Sequence, residues 1–240
     1  MFGRLHGLEA LSVAHTGAHQ EDLQRLGKLA NLQRLSLEGL VLDSATLEAF
    51  SGLRLRSLKL PERSVFGERH LDVVATFPLT MLSLASYRKL PASAFKCLVA
   101  LSPTLRQLDV SNTRIDDDAL CALAASLTQL YELESARTSI TNTGVEALIK
   151  LKALTTLDIS RTAVSNAGVA ALAQCSQLHS LNLMYTRTST RGALSLSACR
   201  SLQRLNLRGT YVSAERVREG LLRKWGGGSD LTTFRLLFLF

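Results

Sequence analysis

The pattern Leu-x-x-Leu-x-Leu returns about every 24 residues along this 240-residue chain. Its leading leucines are Leu8, Leu32, Leu55, Leu79, Leu105, Leu130, Leu154, Leu178 and Leu202, and a tenth copy is expected from Leu231. The steps between them are 24, 23, 24, 26, 25, 24, 24, 24 and 29 residues. Nothing else constrains the fold as tightly. A unit this short cannot bury its own apolar face, so neighbouring units must stack into a solenoid.

The copy from Leu154 to Gln177 shows how one coil is written. Leu154, Leu157 and Ile159 alternate with polar residues, which predicts a half-buried short strand. Ser165-Asn166-Ala167-Gly168 is a turn cluster suited to helix entry, and Val169, Leu172 and Ala173 keep the three-to-four spacing of a buried helical face. The same grammar recurs elsewhere. Thr16, Thr113, Thr138, Thr162, Thr186 and Thr210 each lie eight residues after their leading leucine. Their hydroxyls are expected to turn inward and satisfy backbone groups where the chain leaves the strand. Gly144, Gly168 and Gly192 share one position, and Leu123, Leu148, Leu172 and Leu196 share another.

Through Arg137-Thr138-Ser139-Ile140-Thr141-Asn142-Thr143-Gly144-Val145 and its counterpart Arg161 to Val169, the chain resembles the leucine-rich repeat superfamily. It is most similar to the cysteine-containing repeats of F-box substrate receptors and of trypanosomatid leucine-rich repeat proteins. The resemblance implies an α/β solenoid that is right-handed and curved, with a parallel inner sheet of about ten strands and a helical outer face. One domain, 1–240, is expected, with irregular coils at about 61–104 and a variant last coil after 226. Threonine mostly replaces the fixed asparagine of the common repeat, so a continuous asparagine ladder is not expected at that position.

Composition narrows the setting. The five histidines are scattered over different coils, and no phosphate-binding glycine loop, GxSxG elbow or metal-ligand spacing occurs, so no enzyme, cofactor or metal is indicated. Cys97, Cys121, Cys175 and Cys199 form no CxxC pair, and Cys175 and Cys199, one repeat apart, read as small buried residues in a stacked position rather than ligands. No apolar run approaches the roughly 18 residues of a membrane span. The N-terminus has no secretory signal, and no Asn-x-Ser/Thr sequon occurs. These features suggest an intracellular protein, cytoplasmic first, with an organelle address left open. The net charge of +8 is concentrated: residues 178–240 hold ten basic residues against three acids, a net +7.

Residues between the strand leucines should face the concave side. Read down the stack, the middle x of Leu-x-Leu is Ser12, Ser36, Lys59, Ser83, Asp109, Glu134, Asp158, Asn182, Asn206 and Arg235. Asp109, Glu134 and Asp158 therefore form an acidic column, with Glu132 on the same face. Such a column either docks a basic partner segment or is neutralised by Arg137 and Arg161 at the strand ends. Toward the C-terminus the sign changes, and Tyr185, Arg204 and Arg208 are expected near the same surface as interface anchors. A second candidate is the segment from Glu215 to Trp225, with Arg218 and Trp225 as a docking helix or simply the last core helix. Phe238 and Phe240 close an apolar end, which like the bare start at Leu8 suggests a chain that works inside a larger assembly.

The leading reading is a non-catalytic protein–protein interaction scaffold or adaptor, a structural subunit of a larger intracellular complex. One alternative is an RNA-contacting ribonucleoprotein subunit using residues 178–240, although aromatics for base stacking are sparse there. Another is a ubiquitin-ligase substrate receptor, weakened by the lack of an F-box-like segment before Leu8.

Overall fold

A computed structural model describes residues 7–61, 67–225 and 235–237. Ten three-residue strands form one parallel sheet in strict sequence order. They are β1 Ala10–Ser12, β2 Arg34–Ser36, β3 Ser57–Lys59, β4 Met81–Ser83, β5 Gln107–Asp109, β6 Glu132–Glu134, β7 Thr156–Asp158, β8 Ser180–Asn182, β9 Arg204–Asn206 and β10 Arg235–Leu237. The central leucine of every strand from β2 to β9 is buried, while the residues beside it stay at least partly accessible. Leucines stack on leucines: Leu108 pairs in register with Leu133, Leu133 with Leu157, and Leu157 with Leu181. This is the alternation of a strand with one covered face.

Short helices cover the other face. They are α1 Gln20–Arg25, α2 Ser44–Glu48, α3 Glu68–Val74, α4 Asp117–Ser126, α5 Asn142–Ala147, α6 Asn166–Leu172, α7 Thr190–Ser195 and α8 Ala214–Trp225. Between α3 and α4 the outer element is a 3-10 helix, Ala92–Leu101. That substitution falls within the stretch expected to be irregular, and residues 62–66 of the same stretch lie outside the described residues. In it, Tyr87 takes the threonine position and donates its buried hydroxyl to the Pro61 carbonyl of the preceding coil. The core is mainly leucine, with Phe50, Phe77 and Phe95 its largest fully buried side chains.

The recurrent threonines behave as their position predicts. Thr113, Thr138, Thr162, Thr186 and Thr210 each donate their hydroxyl to the carbonyl three residues earlier, at 2.5–2.8 Å. Each bond satisfies an acceptor that the sheet leaves open where the chain turns. One register expectation is corrected. Arg235 pairs with Arg204, and Leu237 takes the place opposite Asn206. The last coil is therefore two residues longer than a start at Leu231 implies. A slip of two keeps the same side chains toward the core register, so the hydrophobic pattern alone does not resolve it. Residues 226–234, including Gly226 to Ser229, lie outside the described residues.

Candidate functional site

The open face of the sheet carries two columns of side chains. In one, Asp109 stands in register with Glu134, and Glu134 with Asp158. In the other, Gln107 stands beside Glu132. Adjacent strands lie about 4.8 Å apart, so the carboxylates are near neighbours. They are held in different ways. Asp109 accepts from the Ser111 amide at 2.9 Å and from the Ser83 hydroxyl at 2.9 Å. Asp158 accepts from the Ser160 amide at 2.8 Å and from the Asn182 side-chain amide at 2.8 Å. Asn182 and Asn206 repeat the device, accepting from the Met184 and Arg208 amides. Each of these residues thus turns its own strand end through a side-chain acceptor.

Glu134 sits between the two aspartates, and no donor bonds it among the described residues. Burial raises its carboxyl above the ordinary value, and the charges of Asp109, Glu132 and Asp158 push it the same way. Gln107 donates to Glu132. Among the described residues the ion pairs within 4.0 Å are Arg25–Asp22 and Lys59–Glu38. Neither Arg137 nor Arg161 forms an ion pair with the column within that distance. Arg161 lies instead over the Tyr185 ring, 4.2 Å from its centroid. Asp109, Glu132 and Glu134, but not Asp158, open onto a concavity of about 360 Å³ lined also by Glu38, Lys59, Met81, Ser83 and Gln107. Its mixed lining suits the aliphatic stem and charged head of a long basic side chain.

The remaining expected site residues are separated by the structure. Arg204 opens β9 and is exposed on the sheet face. Arg161, Tyr185 and Arg208 sit in the connectors between strand and helix, on the rim rather than on the sheet, because the chain has already left the ladder there. In α8, Val217 and Leu221 are buried and Arg218 is exposed, as in a core helix with a solvated outer face. The side chain of Trp225, and Phe238 and Phe240, lie outside the described residues.

One recurring feature was missed. His15, Ser86, Asn112, Arg137, Arg161 and Tyr185 all have φ between 54° and 70°, and Gly39 and Gly209 share the conformation. All eight lie seven residues after their leading leucine. The non-glycine members each donate their amide to a carbonyl of the next coil, as Arg161 does to Met184 at 2.7 Å and Tyr185 to Arg208 at 2.8 Å. Two glycines and an asparagine at one repeat position were the available signal, since these residues favour the left-handed region.

A family profile described as leucine-rich repeat matches residues 101–124 and 151–173. The fold is a leucine-rich repeat solenoid. Two solved structures from Listeria monocytogenes share it. An internalin, inlF, is 21% identical with a TM-score of 0.61, covering 84% of this chain and 68% of its own. Internalin C2 is 21% identical with a TM-score of 0.56, covering 98% of this chain and 82% of its own. No curated protein matches the chain. At this identity the likeness establishes the leucine-rich repeat architecture alone. Neither match bears on the finer resemblance to F-box or trypanosomatid repeats. Among the described residues no helix is long and apolar enough to cross a membrane.

Proposed function

We propose that this chain is a non-catalytic protein-interaction scaffold whose open sheet face binds a basic segment of a protein partner, as a subunit of a larger intracellular assembly. The observation that carries this is the register of Asp109, Glu134 and Asp158 on consecutive strands, with no cation within 4.0 Å paired to them among the described residues. Like charges aligned across strands destabilise a sheet, and a basic ligand relieves that repulsion. Arg204 at the far end of the same face sets the orientation of a partner with charges in the complementary order. The RNA reading has less support. Arg161 lies over the Tyr185 ring and Gly209 packs against it, so although Tyr185 is 42% exposed, its stacking face is already engaged by a cation. No observation favours the substrate-receptor reading.

The test uses a fluorescent lysine- and arginine-rich decapeptide and the full chain. The double variant Asp109→Asn/Glu134→Gln should bind at least about tenfold more weakly, roughly 1.4 kcal/mol. Equal binding by the folded variant would refute the reading.

A further inference from the structure

The connectors from strand to helix form one rim of the solenoid, and their composition differs sharply from that of the sheet face. In the six coils from β4 to β9, every connector holds one arginine: Arg88, Arg114, Arg137, Arg161, Arg187 and Arg208. All six are exposed. Lys89 adds a seventh cation, and the acid in these connectors is Asp116. Asp116 is already engaged, accepting from the Ala119 amide at 2.9 Å as the cap of α4. None of the six arginines is in an ion pair among the described residues.

Two of the six are braced along the stack. Arg88 donates Nε–H to Asn112 Oδ1 at 3.1 Å, and Arg161 lies over Tyr185. Parallel strands about 4.8 Å apart place six coils over roughly 24 Å. An extended peptide of about seven residues, at roughly 3.3 Å each, covers that length. Planar guanidinium groups pair with carboxylates through two parallel bonds, which suits arginine rather than lysine to the task. Single-stranded nucleic acid would need open aromatic platforms between the cations. On the rim, Tyr185 is 42% exposed with Arg161 over its ring and Tyr211 is 76% exposed, too few rings to alternate with six cations.

We infer that this arginine rim is a second docking surface, separate from the acidic sheet face, and that it binds an extended carboxylate-rich peptide segment of a protein partner. The two surfaces share the coils of β5 to β7 but take ligands of opposite sign, so neither depends on the other.

A fluorescein-labelled ten-residue glutamate peptide, followed by anisotropy with the full chain, tests the inference. The variant Arg114→Gln/Arg137→Gln/Arg187→Gln should weaken binding at least about tenfold, with an unchanged melting curve. Its control, Arg216→Gln/Arg218→Gln/Arg223→Gln, removes the same charge from α8 and should leave binding within about twofold. The variant Arg114→Lys/Arg137→Lys/Arg187→Lys keeps the charge but loses the fork, and should weaken binding severalfold even if the glutamine variant does not fold. Wild-type affinity in the lysine variant or in a folded glutamine variant would overturn the inference. So would equal losses in the rim and α8 variants, or tighter binding of a ten-nucleotide single-stranded RNA than of the peptide. The basic decapeptide reports on the sheet face alone, so failure there leaves this result standing.

Discussion

Glu134 sits in an environment unfavourable to its charge. It is half-buried between two aspartates, without a donor among the described residues. Its folded carboxyl titrates above the unfolded one, so the folded state binds the extra proton. Any stability from that group is complete below the unfolded value and is lost as pH rises through the raised one. Glu134→Gln should therefore be more stable than wild type at neutral pH, by on the order of 0.2–1 kcal/mol. The gap should close as pH falls below the ordinary carboxylate range. Melting both proteins across that range measures it, and a variant less stable at neutral pH would show that the carboxylate has a structural partner. Asp109 and Asp158 differ because each accepts a backbone amide. Asparagine can replace that acceptor, as Asn182 and Asn206 already do. At Asp158, however, an added amide would face the Asn182 donor, so Asp158→Asn is the costlier change.

The repeating element is held by more than leucine. One turn beyond the threonine, a ladder of polar side chains joins each helix start to the next coil. Asp117 accepts from the Thr141 amide at 2.8 Å, Asn142 from the Ser165 amide at 2.9 Å and the Gly168 amide at 3.1 Å, and Asn166 from the Ser189 amide at 2.8 Å. Thr190 continues it to the Ser213 amide. The rungs are aspartate, asparagine, asparagine and threonine, four residues beyond the recurrent threonine. The ladder also explains the recurrent glycine. A methyl at Gly168 would come to 2.7 Å from Asn142 Oδ1, and Gly144 stands in the same relation to Asp117. Removing the donor's partner leaves part-buried amides unmet. Asn166→Ala should cost about 1–3 kcal/mol, measured as a fall in the chemical unfolding midpoint. A midpoint shift near zero would mean water replaces the rung. Adjacent rungs share residues, so Asn142→Ala and Asn166→Ala together should depart from additivity.

As a whole molecule the solenoid is quasi-one-dimensional, and each coil is stabilised by its two neighbours. Leu157 is 1% exposed, in register between Leu133 and Leu181. Leu157→Asp places an unpaired charge between three coils, and its desolvation cannot be met by any nearby donor. The expected result is loss of several coils, seen as reduced circular dichroism amplitude and hydrogen-exchange protection lost across β6 to β8. Wild-type melting would contradict the core placement. Elsewhere the thiols serve as packing: burial pushes Cys97 and Cys175 up to about 11, so both stay protonated at neutral pH. On the coils of β5 to β7 an acidic sheet face and a basic rim lie side by side.

The sequence by itself determined the period, the strand leucines, the threonine bonds and the acidic column. All of these follow from patterns that repeat within one coil, and a solenoid copies its local geometry from coil to coil. Only the tertiary structure decided what depends on the relation between coils. It showed that Arg161 stacks on Tyr185 instead of pairing with the acids. It moved Tyr185 and Arg208 from the sheet to the rim, because Tyr185 and Gly209, left-handed residues seven places into their coils, turn the chain away from the strand. It made the polar ladder visible, since its donors and acceptors lie 23–26 residues apart. It also set the register of the last strand, where a two-residue slip leaves the hydrophobic pattern unchanged and only pairing between backbones can choose.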